Sequence, residues 1–144
     1  MIRWLLRLSD AARHRARRRL WPADRAAGRR GEDLAHRYIE RLCMTVVARN
    51  WQPSAGQGEI DLVAWDAERL VFVEVKARSG DEFGAPERNV DAQKREALAR
   101  AARNYSRRAG VAWDRVRFDL VSVVFGDPPR ISHRKDAFRP DRTL

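Results

Sequence analysis

The sequence predicts a single α/β domain in which a mixed β-sheet is flanked by helices. Two short runs at residues 58–63 and 70–76 are rich in Val and Ile, as buried strands are. Two longer stretches, at about residues 31–42 and 89–108, carry apolar residues at helical spacing. The chain has 144 residues, enough to bury one core. With further strands before and after these segments, the predicted order is α-β-β-β-α-β-β.

The N-terminal third is predicted to hold an arm, a helix and a strand. We expect residues 1–27 to form a basic arm, helical or disordered, with a hinge at Ala26–Gly28. The folded domain would then span residues 28–139. Its first helix is predicted from Gly31 to Leu42 because apolar residues recur there every three or four positions. A first strand is predicted over Met44–Arg49.

The middle of the chain is predicted to form a hairpin and a second helix. Residues 66–69 would make the tight turn of the hairpin, and residues 77–88 a loop with two glycines and a proline. Asn89 has the side chain of a helix N-cap, and the helix that it begins would continue to Arg108. Gly110 would end this helix.

The last third is predicted to contain two more strands. Over residues 115–125, apolar residues alternate with Arg117 and Asp119, as in a strand whose two faces differ. An edge strand is expected over residues 130–134, and residues 140–144 are predicted to be a frayed tail.

Charge is distributed unevenly along this chain. The formal net charge is +10, and residues 1–30 hold ten Arg and two acidic residues, a net of +8 that leaves +2 for the rest. Such basicity predicts a polyanionic partner, either nucleic acid or an anionic membrane surface. The single cysteine, Cys43, excludes a disulfide framework, and no apolar run has the length of a membrane span. These features predict a cytoplasmic protein.

The basic residues of the arm allow three interpretations. Arg13, Arg15, Arg17, Arg18 and Arg19 lie too close in sequence to share one side of a helix. They suit a flexible clamp on the phosphates of DNA. The alternatives are a membrane-surface helix and a solvated extension without a partner.

The predicted hairpin carries charged residues that suggest a metal site. If its strands pair, Asp61 and Glu74 converge, and Lys76 shares a face with Glu74. Two carboxylates on adjacent strands offer oxygen ligands to Mg²⁺, to which the carbonyl of Val75 would add another. Lys76 could then assist hydrolysis of a phosphodiester, and the nearby Arg78 could hold a phosphate. The alternatives are a cross-strand salt bridge at Lys76 and a surface position for Arg78.

These residues also carry a resemblance to a known family. The chain resembles the YraN-like family of small, uncharacterised bacterial proteins, within the PD-(D/E)XK nuclease superfamily. The resemblance covers about residues 28–139 and rests on the following segments: Gly31–Ala35, Asn50–Trp51, Gly58–Val63, Val71–Arg78, Phe83–Gly84, Lys94, Arg117–Asp119 and Asp136–Phe138. One departure is Ile60, which stands where the superfamily has a proline.

The resemblance implies a restriction-endonuclease-like core and a Mg²⁺- or Mn²⁺-dependent nuclease acting on DNA, branched DNA included. It implies Asp61 and Glu74 as metal ligands and Lys76 as the catalytic helper. Glu32, whose alternative role is to favour the dipole of the first helix, would be a secondary member of the site. The resemblance also implies that a polar residue at the start of the second helix, Gln93 or Lys94, reaches the site, and Gln93 is the predicted secondary member. The rival interpretation is a non-catalytic nucleic-acid-binding or accessory protein on the same fold. Either a monomer or a homodimer is compatible with the resemblance.

Overall fold

The structure is a computed structural model, and it describes residue 13 and residues 23–54, 58–80 and 91–140. Two helices and five strands make up this part of the chain. In chain order they are α1 (Ala23–Arg41), β1 (Thr45–Trp51), β2 (Ile60–Asp66), β3 (Arg69–Arg78), α2 (Ala92–Ala109), β4 (Val116–Val124) and β5 (Arg130–Arg134), with a short 3₁₀ turn at Trp113–Arg115. The predicted α/β class and the order α-β-β-β-α-β-β are confirmed.

The strands form one mixed sheet in the order β1-β2-β3-β4-β5. β3 and β4 run parallel, and every other neighbouring pair is antiparallel. A parallel pair needs a crossover connection, which here contains α2. β4 is the best covered strand, with seven of its nine residues buried, and five of the ten residues of β3 are buried.

The core consists of two apolar layers, one on each face of the sheet. On one face, Leu98 and Ala102 of α2 pack with Phe72 and other sheet residues. On the other face, Ala35 and Ile39 of α1 pack with Val71 and other sheet residues. The domain is thus three layers deep, helix on sheet on helix.

The helix boundaries differ from the sequence prediction at two places. α1 begins at Ala23 and continues through the expected hinge, and Ala26 is fully buried. The hinge prediction is wrong because this part of α1 packs like the rest of the helix. The N-cap of α2 is Asp91, whose Oδ1 accepts a hydrogen bond from the Lys94 N–H at 2.8 Å. Asn89, the expected cap, lies outside the described residues.

Arg117 and Asp119 are buried on the α1 face of β4. Arg117 Nε donates to Asp119 Oδ1 at 2.8 Å, and the backbone N–H of Asp136 donates to the same oxygen at 3.0 Å. His133 Nε2 lies 2.8 Å from Asp119 Oδ2. Burial favours the neutral acid, but the bonds to His133 and Arg117 outweigh it and lower the pKa of Asp119. This network ties β5 and the segment after it to the centre of the sheet.

No helix in the described ranges is long and apolar enough to cross a bilayer. Of the five arginines named in the arm, Arg13 falls within the residues that the structure describes. The other four lie outside them: Arg15, Arg17, Arg18 and Arg19.

Candidate metal centre

Asp61 and Glu74 lie side by side where the β2–β3 hairpin opens. Leu62 pairs with Val73 in the antiparallel ladder, so the next residue outward on each strand is an acidic one. The backbone N–H of Val75 donates to Asp61 Oδ2 at 2.7 Å. The Asp61 carboxyl group is therefore fixed against β3, next to Glu74.

The surroundings of Asp61 favour its neutral form. Burial is the main cause, and the charge of Glu74 adds to it, so that the pKa of Asp61 rises from 3.8 to about 8. The hydrogen bond from Val75 opposes this rise. A carboxyl group with so high a pKa is typical of a functional site, and a bound cation would restore its charge.

Glu74 is almost completely buried, with a side chain that is 1% exposed. The ammonium group of Lys94, from the first turn of α2, contacts Glu74 Oε1. Glu74 Oε2 has no hydrogen-bond partner among the residues that the structure describes. Buried carboxylate oxygens are nearly always satisfied, so an oxygen left over here fits a ligand position for a cation.

Two more carboxylates complete an acidic cluster around Asp61. Oxygen atoms of Glu32, Glu59 and Asp61 all lie within 4.8 Å of one another. Asn50 Nδ2 donates to Glu32 Oε2 at 2.9 Å and to Glu59 Oε1 at 3.1 Å, and so joins α1 to the segment before β2. The backbone of Asn50 has φ +47°, a left-handed conformation that Asn tolerates better than most residues. We refer to Glu32, Glu59, Asp61 and Glu74 as the acidic cluster.

Arginines hold the α1 side of the acidic cluster. Arg29 Nη1 lies 3.1 Å from Glu32 Oε2. Arg49 Nη2 lies 2.8 Å from Asp33 Oδ1 and 3.7 Å from the same Glu32 oxygen. Glu32 therefore has the positively charged Arg29 and Arg49 on one side and the carboxylates of Glu59 and Asp61 on the opposite side.

Two glycines allow the helices to come this close. A Cβ on Gly31 would lie 2.5 Å from the Cβ of Ala77, so only glycine lets α1 meet the end of β3. Gly58 has φ +62°, and a Cβ there would lie 2.9 Å from the carbonyl oxygen of Ala97 in α2. Each glycine directly precedes an acid of the cluster, Glu32 or Glu59. The glycines thus set the positions of both carboxylates.

Basic residues of β3 extend along the same face of the sheet as Glu74. Lys76 and Arg78 follow at two-residue spacing, which places them on that face. Partial burial lowers the pKa of Lys76; the charges of Lys94 and Arg78 add to this, while that of Glu74 opposes it. A lysine that releases its proton more readily is suited to proton transfer.

In the first turn of α2, the residue that contacts the acidic cluster is Lys94 and not Gln93. Gln93 is exposed, whereas Lys94 contacts Glu74. Lys94 precedes Leu98 by four residues and Ala101 by seven, so it continues the buried stripe of α2. That periodicity was available in the sequence and favours Lys94.

Sequence reasoning also missed Glu59 and Asn50 as members of the site. Glu59 lies two residues before Asp61, a spacing that was visible in the sequence, but it precedes β2, which begins at Ile60. Asn50 approaches the site only because β1 pairs with β2, a long-range contact that its local sequence does not predict.

Fold and site together define a class: an α/β protein whose mixed sheet carries a cluster of acidic residues that could hold a metal ion. Carboxylate oxygens are the ligands of hard cations such as Mg²⁺, Mn²⁺ and Ca²⁺.

The particular family follows from comparison with known proteins. The chain belongs to the uncharacterised protein family UPF0102, whose model matches residues 31–123. It is 54% identical to a UPF0102 protein of Solibacter usitatus over 138 residues, 96% of this chain and 100% of the relative. A UPF0102 protein of Rhodococcus jostii is 43% identical over 78% of this chain and 96% of its own length. One of Geobacter sulfurreducens is 40% identical over 77% of this chain and 87% of its own. The resemblance to the YraN-like family is confirmed.

Proposed function

We propose that this protein is a cytoplasmic, Mg²⁺-dependent nuclease that hydrolyses phosphodiester bonds in DNA. The observation that carries the proposal is the convergence of Asp61 and buried Glu74 at the open end of one hairpin, with Glu74 Oε2 lacking a hydrogen-bond partner among the described residues. The donor atoms are carboxylate oxygens, which suit Mg²⁺ or Mn²⁺.

Each residue of the site has a proposed role. Asp61 and Glu74 would hold the cation, with the carbonyl of Val75 as a further ligand. A bound divalent cation supplies a water of lowered pKa and neutralises charge on the phosphate. Lys76 would orient the attacking water or accept its proton, and Arg78 would bind a phosphate oxygen. Glu32, held by Arg29 and Asn50, would fix the α1 side of the site.

The test is cleavage of plasmid, single-stranded and branched DNA by the purified protein with Mg²⁺ or Mn²⁺. Three substitutions should each reduce the rate of DNA cleavage by orders of magnitude: Asp61→Asn, Glu74→Gln and Lys76→Ala. The three side chains are proposed to act as a unit, so removal of one should cost nearly as much activity as removal of all. Lys135→Ala is the matched control, since Lys135 lies at the opposite end of β2, 3.6 Å from Asp66. Full activity in any of the three site variants would remove this site from consideration.

Metal binding can be measured without any cleavage. Calorimetry should show that Mn²⁺ binds the wild type and fails to bind Asp61→Asn. Mn²⁺ should also raise the melting temperature of the wild type by mass action. Equal affinity in the two proteins would contradict the assignment of Asp61 as a ligand.

One observation favours a second candidate function, a nucleic-acid-binding protein without hydrolysis. The ammonium group of Lys94 already balances the negative charge of Glu74, so Glu74 has a partner as a salt bridge even without a cation. A protein that binds DNA, shows no Mn²⁺ binding and cuts none of the DNA substrates would match this second function.

A further inference from the structure

We propose that Lys94 is a displaceable counterion of Glu74, which competes with the divalent cation and thereby sets the cation concentration at which the site fills. This inference rests on the proposed metal centre and adds its regulation. It concerns a residue that has none of the catalytic roles argued above.

The contact between Lys94 and Glu74 joins a fixed group to a movable one. Glu74 lies in the middle of a central strand, and its side chain is 1% exposed, whereas that of Lys94 is 52% exposed. The lysine has a flexible four-carbon stem and reaches Glu74 from the solvent side. Glu74 therefore stays in place when the contact breaks, and the ammonium group can return to water.

The backbone of Lys94 is held by contacts that do not involve its ammonium group. The N–H of Lys94 donates to Oδ1 of the cap residue Asp91 at 2.8 Å, which fixes the start of α2. Leu98 and Ala101, farther along the same stripe, are buried in the core. Displacing the ammonium group thus requires only side-chain rotation and leaves the helix unchanged.

A cation on Asp61 and Glu74 would lie beside the ammonium group of Lys94. Charges of the same sign at this range repel strongly where burial limits screening by water. Lys76 also faces this region, two residues from Glu74 on the same face of β3, so a second positive charge is already close. The cation and Lys94 therefore exclude each other at Glu74, and binding of the cation includes the free energy of breaking this ion pair.

The experiment compares Mn²⁺ binding to the wild type, Lys94→Met and Lys94→Arg by calorimetry at fixed ionic strength and without DNA. Lys94→Met should bind Mn²⁺ at least about tenfold more tightly, because no ion pair has to be broken. Lys94→Arg keeps the charge and should bind more weakly than Lys94→Met. Lys135→Met removes one lysine charge far from the site and should bind as the wild type does.

Thermal unfolding supplies an independent readout. In the presence of a chelator, Lys94→Met should melt below Lys135→Met, since Glu74 then lacks its partner. Saturating Mn²⁺ should raise the melting temperature of Lys94→Met more than that of the wild type. If Lys94→Met folds poorly, Lys94→Gln gives the same comparison with a polar side chain.

The outcomes separate this inference from the proposed function. Equal or weaker Mn²⁺ affinity in Lys94→Met, with measurable binding by the wild type, would overturn the counterion role and leave the metal centre standing. Absence of Mn²⁺ binding in the wild type and all variants would overturn both.

Discussion

The carboxyl group of Asp61 binds a proton at pH values where an ordinary aspartate has lost it. Its pKa in the folded protein is about 8, against 3.8 without these surroundings, because it is buried beside Glu74. Between these two values the folded chain binds one more proton at this position than the unfolded chain does. The free energy of unfolding must therefore fall as the pH rises through this window, and the contribution of this group is lost near pH 8.

This linkage predicts how Asp61→Asn changes stability. The amide keeps an oxygen that can accept the Val75 N–H but cannot ionise, so the variant lacks this loss of stability at high pH. In the presence of a chelator, its melting temperature should exceed that of the wild type by an amount that grows from pH 5 to pH 8. About 4 °C corresponds to each kcal/mol for a domain of this size. A difference that stays constant over this range would contradict the raised pKa, and exposed Asp114→Asn is the control.

At the scale of the elements, the site depends on how closely α1 approaches the end of β3. Gly31 and Gly28 lie three residues apart in α1 and differ in what a side chain would meet. A Cβ on Gly31 would lie 2.5 Å from that of Ala77, whereas a Cβ on Gly28 has nothing within 4 Å.

The two glycines give a matched pair of substitutions. Gly31→Ala should destabilise the protein by about 1–3 kcal/mol through overpacking, and should weaken Mn²⁺ binding because Glu32 shifts with the helix. Gly28→Ala should stabilise it by about 0.5–1 kcal/mol, since Ala is the better helix former. Urea unfolding measures both. A stabilising Gly31→Ala would show that α1 can move without cost, and would contradict the role given to this contact.

The elements also show which parts of the site a sequence can predict. Asp61, Glu74 and Lys76 lie on one hairpin, where strand periodicity and a short turn determine which side chains meet. Glu59, Asn50 and Lys94 reach the site through pairing of β1 with β2 and packing of α2 on the sheet. Those contacts depend on long-range docking, which local pattern does not specify. The choice between Gln93 and Lys94 was the exception, because the apolar stripe of α2 already favours Lys94.

The local sequence pattern also did not predict that Arg117 and Asp119 of β4 are buried. The alternation in β4 correctly separates Phe118 from Arg117 and Asp119, but it does not show that α1 covers the second face. The buried polar pair persists there because both charged groups are compensated. Asp119 has partners from β4, β5 and the following turn, and Arg117 pairs with Asp119 and with Asp66 of β2.

For the molecule as a whole, positive charge is concentrated before the folded domain. Residues 1–22 hold seven Arg and one acidic residue, a net of +6 of the total +10. The truncation that tests this segment has to stop at Pro22, because α1 begins at Ala23 and Ala26 is fully buried. A shortened protein that starts at Ala23 keeps the entire acidic cluster.

Deleting residues 1–22 should weaken DNA binding at low salt and flatten its salt dependence. Each phosphate contact contributes about −0.9 to the slope of log affinity against log salt concentration, so roughly three to six lost contacts change the slope by several units. Cleavage at saturating DNA should change little, since Asp61, Glu74 and Lys76 remain. A membrane-surface role predicts instead an unchanged slope and lost binding to anionic vesicles, and a solvated extension predicts no change in either assay. Measuring both properties on the same truncated protein separates the three cases, and an unchanged DNA salt slope would exclude the phosphate clamp.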